Sequence, residues 1–238
     1  LQQTEVDGRL LRVGEAVDRF YVLQNDGIYQ SDAEVPVKDG KKMTVNGVEM
    51  KAGDPKWVDR NGDNKITDED KVLKGHSLPK YTGGFSTQLK FKRFDLGASF
   101  FFAAGQSAMN YRAYQQYDFT TLDKGDNLAG VKEIFFWQSG NVPMDYPRYN
   151  ALSEVHPYRA DQDLYLEKVS YLKLRSVTLG YSVPTPKHDV YVYVSGNNLF
   201  TVSKFSGDDP ELVDFDGYYR GYGMGIPRSV TLGVRCSF

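Results

Sequence analysis

The chain has 238 residues, enough for one sizeable domain, and a formal net charge of −2 from 29 Lys+Arg against 31 Asp+Glu. That balance excludes a dedicated nucleic-acid binder, and the single cysteine, Cys236, excludes an internal disulfide or a multi-cysteine zinc site. Mean hydropathy is −0.50, and the longest weakly polar run, Leu96 to Gly105, is too short for a membrane helix, which needs roughly 20 apolar residues. Composition therefore describes a soluble, Tyr-rich β chain, with one exception. A β-barrel alternates lipid-facing and lumen-facing residues and so escapes hydropathy counting. The sequence opens on Leu1 without a basic n-region or an apolar h-region, so a processed or truncated start is expected.

In chain order, the first chemical motif is Asp59-Arg60-Asn61-Gly62-Asp63-Asn64-Lys65-Ile66-Thr67-Asp68-Glu69-Asp70. Oxygen-bearing side chains at the first, third, fifth and twelfth places match the spacing of a Ca²⁺ loop. Asp59, Asn61, Asp63 and Asp70 would offer side-chain oxygens, and Lys65 its carbonyl. The pattern departs from an EF-hand: Gly62 is fourth, Asn64 takes the glycine's sixth place, and Asp70 rather than Glu closes it. It is nearer a dockerin-type loop, but no second copy follows. The bland alternative is an Asp/Asn-rich turn ahead of a short helix capped at Thr67.

Next comes a hairpin around Lys92-Arg93. Phe85, Thr87, Leu89 and Phe91 share one face with Phe94, Leu96, Ala98, Phe100 and Phe102, while Ser86, Gln88, Lys90, Asp95, Gly97 and Ser99 take the other. Both a sheet on a water-soluble core and a barrel in lipid show this alternation. Ser170–Val183 continues it, with Leu172 and Leu174 out of phase with Val177, Leu179 and Tyr181, so a bulge is expected near Arg175-Ser176. Pro184-Thr185-Pro186 ends that strand. In 189–201, Val190, Val192 and Val194 alternate with Tyr191 and Tyr193, tyrosines that suit an interfacial girdle or simply a sheet. Finally Val230, Leu232, Val234, Cys236 and Phe238 alternate with Ser229, Thr231, Gly233, Arg235 and Ser237. Soluble domains usually end in a few polar, loosely held residues. A closing strand that stops on Phe resembles the assembly signal of outer-membrane barrels.

Short turns at Lys92-Arg93 and Pro184–His188 would lie on the periplasmic side. The long stretches 31–80, 105–169 and 202–227 then all fall outside the cell, and 105–169 has room for further strands.

Several stretches resemble the C-terminal barrel portion of SusC/RagA-family TonB-dependent outer-membrane transporters. They are Phe20–Gln30, Gly53–Gly75, Leu78–Phe85, Tyr171–Pro184, Val194–Thr201 and Ile226–Phe238, in family order over most of the chain. The resemblance implies an all-β, antiparallel transmembrane barrel of about 22 strands with an internal plug. It implies nutrient import across the outer membrane of a Gram-negative bacterium, powered by the TonB complex, beneath a SusD-like surface lipoprotein. Glycan and peptide cargo both remain open. On this reading residues 1–238 are a C-terminal part of the barrel. The 31–80 loop lies outside with its Ca²⁺ loop at 59–70, and the plug and the remaining barrel belong to the rest of a longer polypeptide. The acidic, aromatic segments Gly207–Gly225 and Asn110–Phe119 are candidates to line the vestibule.

No enzyme is expected: His76, His156 and His188 lack metal-ligand spacing, and no nucleophile elbow or phosphate loop is present. The competing reading is a soluble, secreted β-sandwich that binds carbohydrate and holds one structural Ca²⁺.

Overall fold

The structure is a computed structural model that describes residues 3–6, 9–117, 136–138, 146–148, 153–186 and 188–237. It divides into two compact units, one of Leu1–Gly75 with Met109–Leu166 and one of His76–Ala108 with Glu167–Phe238.

The second unit is built on a wall of five long strands: β1 (Tyr81–Phe91), β2 (Phe94–Ala104), β3 (Tyr171–Val183), β4 (Asp189–Asn197) and β5 (Ser229–Ser237). They neighbour one another in chain order, and every pairing is antiparallel. Lys92-Arg93 makes the hairpin turn, with Lys92 at φ 55° in the left-handed region. The long connections consequently leave the wall at one end and the short turns at the other.

The expected phase slip is a bulge. Ser99 pairs with Ser176 but Phe100 pairs with Leu174, leaving Arg175 as the extra residue. The insertion restores the pattern, because Leu172 and Leu174 now share a face with Val177, Leu179 and Tyr181. The neighbouring strand answers at the same level. A single strand over 189–201 is replaced by β4 and a short piece, Thr201–Ser203, separated at Asn198, whose φ is 52°. Asn198 N–H there donates to Arg175 C=O at 3.0 Å, and Leu174 N–H to Phe200 C=O at 3.1 Å.

In the first unit, residues 31–75 of the expected 31–80 loop are a folded piece rather than an open loop. Phe20–Leu23 pairs antiparallel with Lys71–Lys74, and Thr44–Val45 lies between Val48–Glu49 and Lys65–Ile66. Leu23, Tyr29, Val45, Met50, Trp57, Ile66 and Val155 form its buried core. Trp57 donates from Nε1 to Gln162 Oε1 at 2.9 Å, and Gln162 donates onward to Pro157 C=O at 2.8 Å. Both polar groups are thereby satisfied in an interior where an unpaired one is costly. In 105–169 the described residues include short strands at Ser107–Asn110 and Leu166–Lys168 and a helix at Tyr111–Tyr117. Phe119 and Phe238, both singled out in the sequence, lie outside the described residues.

Candidate functional site

The wall has two chemically opposite faces that can be followed across all five strands. Leu89, Leu96, Leu179, Val194 and Leu232 stand side by side in register as one row. One residue along, the row is Gln88, Gly97, Thr178, Ser195 and Thr231 on the other face. Further apolar rows, such as Phe91, Phe94, Tyr181, Val192 and Val234, repeat the first. The apolar face is uncovered: Leu89 is 59 % exposed and Leu232 75 %. Apolar surface of this extent marks an interaction or membrane face, since soluble monomers rarely leave such patches open. Cys236 lies on this face and is a free, exposed thiol.

The polar face has its own packing. Tyr191 and Tyr193 stand here and not in an outward girdle. Across the ladder a methyl group on Gly180 would meet the Tyr191 hydroxyl at 1.7 Å, and one on Gly233 would meet the Tyr193 ring at 2.3 Å. Glycine at both positions lets the rings lie flat along the wall. The Tyr191 hydroxyl donates to Asp95 Oδ1 at 2.7 Å, and the Arg235 guanidinium stacks 6.0 Å from the Tyr191 ring.

At the loop end, Lys173 projects from β3 on the same polar face and is buried. It ion-pairs with Asp209 and Glu211, which belong to the connection between β4 and β5. No sequence pattern announces this cluster, because its partners lie 36 and 38 residues away. Within Gly207–Gly225 the acidic groups are therefore largely used internally: Asp214 accepts from Tyr218 N–H at 2.7 Å and Asp208 from the Tyr219 hydroxyl at 3.1 Å. In 110–119, Asn110 is buried and accepts Ala113 N–H at 2.9 Å, opening the helix.

The 59–70 loop is wound by its own side chains. Asp59 accepts from Gly62 N–H at 2.7 Å and Asn64 N–H at 2.8 Å, Asn61 from Asp63 N–H, and Asp63 from Lys65 N–H, each at 2.9 Å. Asp70 accepts from Arg60 and Thr67 N–H at 2.8 Å, and Thr67 caps the turn Asp68–Asp70 in a capping box. Asn64, in the sixth place, has φ 66°, the left-handed conformation for which such loops ordinarily use glycine. The described residues contain no group of three or more His, Cys, Asp or Glu gathered as metal ligands. The geometry is that of a capped, Asx-wound turn. Nearby, burial pushes the Tyr29 phenol up to about 12, and the Asp54 and Glu34 charges add to the shift.

No family model matches the sequence. Two curated relatives from Formosa agariphila, TonB-dependent receptors P3 and P26, are 30 % and 28 % identical over 85 % and 96 % of this chain, and over 19 % and 23 % of their own lengths. TonB-dependent receptor SusC from Bacteroides thetaiotaomicron is 26 % identical over 95 % of this chain and 20 % of its own. The RagAB peptide importer in its open-open state superposes on 100 % of this chain and 24 % of the importer chain, with TM-score 0.69 at 20 % identity. The chain is a C-terminal region of a SusC/RagA-like TonB-dependent transporter. It spans about a fifth of those curated relatives' lengths.

Membership fixes what covers the apolar face. A SusC/RagA-like wall belongs to a β-barrel of the outer membrane of a Gram-negative bacterium, so the rows through Leu89 and Leu232 face lipid and the polar rows face the lumen. No described helix is long and apolar enough to cross a membrane, which leaves a β-barrel untouched, since a barrel crosses with strands. The relatives are receptors and transporters, not enzymes.

Proposed function

We propose that this chain supplies a sector of wall and outside loops to a TonB-driven importer of oligosaccharides or peptides, working beneath a SusD-like lipoprotein. The remaining N-terminal barrel and the plug complete it. The observation that supports this best is the in-register row of exposed Leu89, Leu96, Leu179, Val194 and Leu232, backed by polar Gln88, Thr178, Ser195 and Thr231. A water-soluble sandwich would have to bury that row on a second sheet, and the described residues place none over it. With the short turns in the periplasm, the ends of β2, β3 and β4 that carry the long connections open outward, where cargo arrives.

The test uses the full polypeptide in its native membrane. It should require detergent for extraction, migrate heat-modifiably on a gel, and carry labelled oligosaccharide or peptide inward only while TonB is energised. Extraction into plain buffer would favour the competing carbohydrate-binding sandwich instead.

The 59–70 loop is proposed, on the spacing of its oxygens, as a Ca²⁺ loop using Asp59, Asn61, Asp63, Asp70 and the Lys65 carbonyl. Each carboxylate that accepts a backbone N–H keeps further lone pairs for an ion. Chelation should then speed proteolysis within 50–80, and unchanged cleavage with and without chelator removes calcium from the account.

A further inference from the structure

The anchor of the β4–β5 connection is built on the wall's lumen side. On β3, Leu172 and Leu174 share the outer face with Phe102 and Phe100, so Tyr171, Lys173 and the bulge residue Arg175 are left for the inner face. Lys173 is 1 % exposed. Such a lysine loses its water, and the desolvation is tolerated only where opposite charges replace it. Those charges come from one short element. Pro210–Leu212 is a single 3₁₀ turn whose cap, Asp209, accepts Glu211 N–H at 3.0 Å. The turn aims Asp209 at Lys173 (3.4 Å) and sets Glu211 against it. Glu211 also accepts from Arg175 Nη2 at 2.5 Å and from the Tyr171 hydroxyl at 3.4 Å. The Arg175 guanidinium in turn lies 5.0 Å from the Phe101 ring centroid, on the same inner face. Beside this cluster Phe205, Tyr219, Val169 and Ala108 close a small core, with Leu212 and Val213 packed against it.

Two cations and two carboxylates balance, and every one of them has a partner. Buried ion clusters add little net stability, and their best-attested use is to hold one arrangement in place of others. A connection that merely projected from the rim into water would leave Lys173 on the wall without partners. Beyond the anchor the same connection displays Phe215, 82 % exposed, and Met224, 94 % exposed.

We propose that the β4–β5 connection is a constriction folded onto the inner face of the barrel mouth, riveted there by Lys173 and Glu211, and that it limits the size of cargo that enters. This rests on the import reading above. Lys173 is a positioning residue: it acts on cargo through the connection it holds.

The test compares the full polypeptide with Lys173→Met and Lys173→Arg in the native outer membrane. It measures uptake of a length series of labelled oligosaccharides and peptides, and protease cleavage within 204–228 on intact cells. Lys173→Met should cleave at least tenfold faster and admit longer cargo, with uptake of the shortest members changed less than fivefold. Lys173→Arg, which keeps the charge, should behave as the parent. Should Lys173→Met fail to reach the membrane, Glu211→Gln is read in the same way. A size profile unchanged in Lys173→Met, whether or not cleavage quickens, overturns the constriction. A parent that imports no member of the series overturns the import reading and the constriction with it, so the two failures are distinguishable.

Discussion

Leu232→Arg separates a membrane wall from a soluble sheet by the size of its effect. Leu232 is the fourth residue of Ser229–Ser237, close to the strand's middle, and 75 % exposed. It pairs with Val194 on β4, which is 40 % exposed and on the same apolar face. On a water-exposed sheet a substitution at so open a position stays within about 0.5 kcal/mol. Facing lipid near the midplane, the arginine costs about 2–4 kcal/mol, roughly a 30- to 900-fold shift in the folding equilibrium. Thr231→Arg is the matched control, since Thr231 is one residue away on the lumen face. The assay is refolding of the full polypeptide into lipid vesicles over a urea series, read by heat-modifiable migration. Leu232→Arg should lose folded protein at lower urea, and Thr231→Arg should stay near the parent. Equal tolerance of the two arginines would refute the lipid-facing assignment.

Gly180→Ala drives the Tyr191 hydroxyl off Asp95, because the new methyl group falls 1.7 Å from it. We expect a loss of about 1–3 kcal/mol in the same urea series, much of it recovered when Tyr191→Ala is added, and strict additivity would count against the contact. Asp54 is fully buried and accepts from Arg148 Nε and Lys51 N–H, both at 2.9 Å. Asp54→Ala strands the arginine and should cost about 3 kcal/mol, read as faster hydrogen exchange in 25–57. Burial raises the Asp161 carboxyl, but hydrogen bonds from Arg159 and Lys71 outweigh that and hold it below the ordinary value. A depressed acid stabilises above its unfolded pKa of about 3.9 and loses that support as the pH falls through the folded value. Protection of Leu23 N–H, which donates to Asp161 C=O at 2.9 Å, should therefore drop on acidification below about pH 4, and Asp161→Asn should flatten the profile.

The wall was legible because its information is local. Alternation at a period of two declares itself within a single strand, so the turn and the two faces of β1 and β2 were readable and the Arg175 bulge showed as a slip in phase. The split at Asn198 was hidden, since it answers a bulge in the neighbouring strand. For Tyr191 and Tyr193 the sequence leaves girdle and sheet both open, because their place on the polar face depends on Gly180 and Gly233, each on a different strand. The first unit was hidden for another reason. Its strands run two to four residues, as in Thr44–Val45 and Phe20–Leu23, too short to show a period. Its core also closes through Val155 and Gln162, from a distant part of the chain. Lys173 carries no signal of its own in the sequence, and only its partners Asp209 and Glu211 make it an anchor.

The account turns on which face of the wall meets lipid. Single spin labels at each position from 230 to 236 of the full polypeptide in lipid vesicles measure this directly, by collision with membrane-soluble oxygen against a water-soluble nickel chelate. Positions 230, 232, 234 and 236 should favour oxygen, and 231, 233 and 235 the chelate, in strict alternation. Uniform access of the chelate to both sets would contradict it.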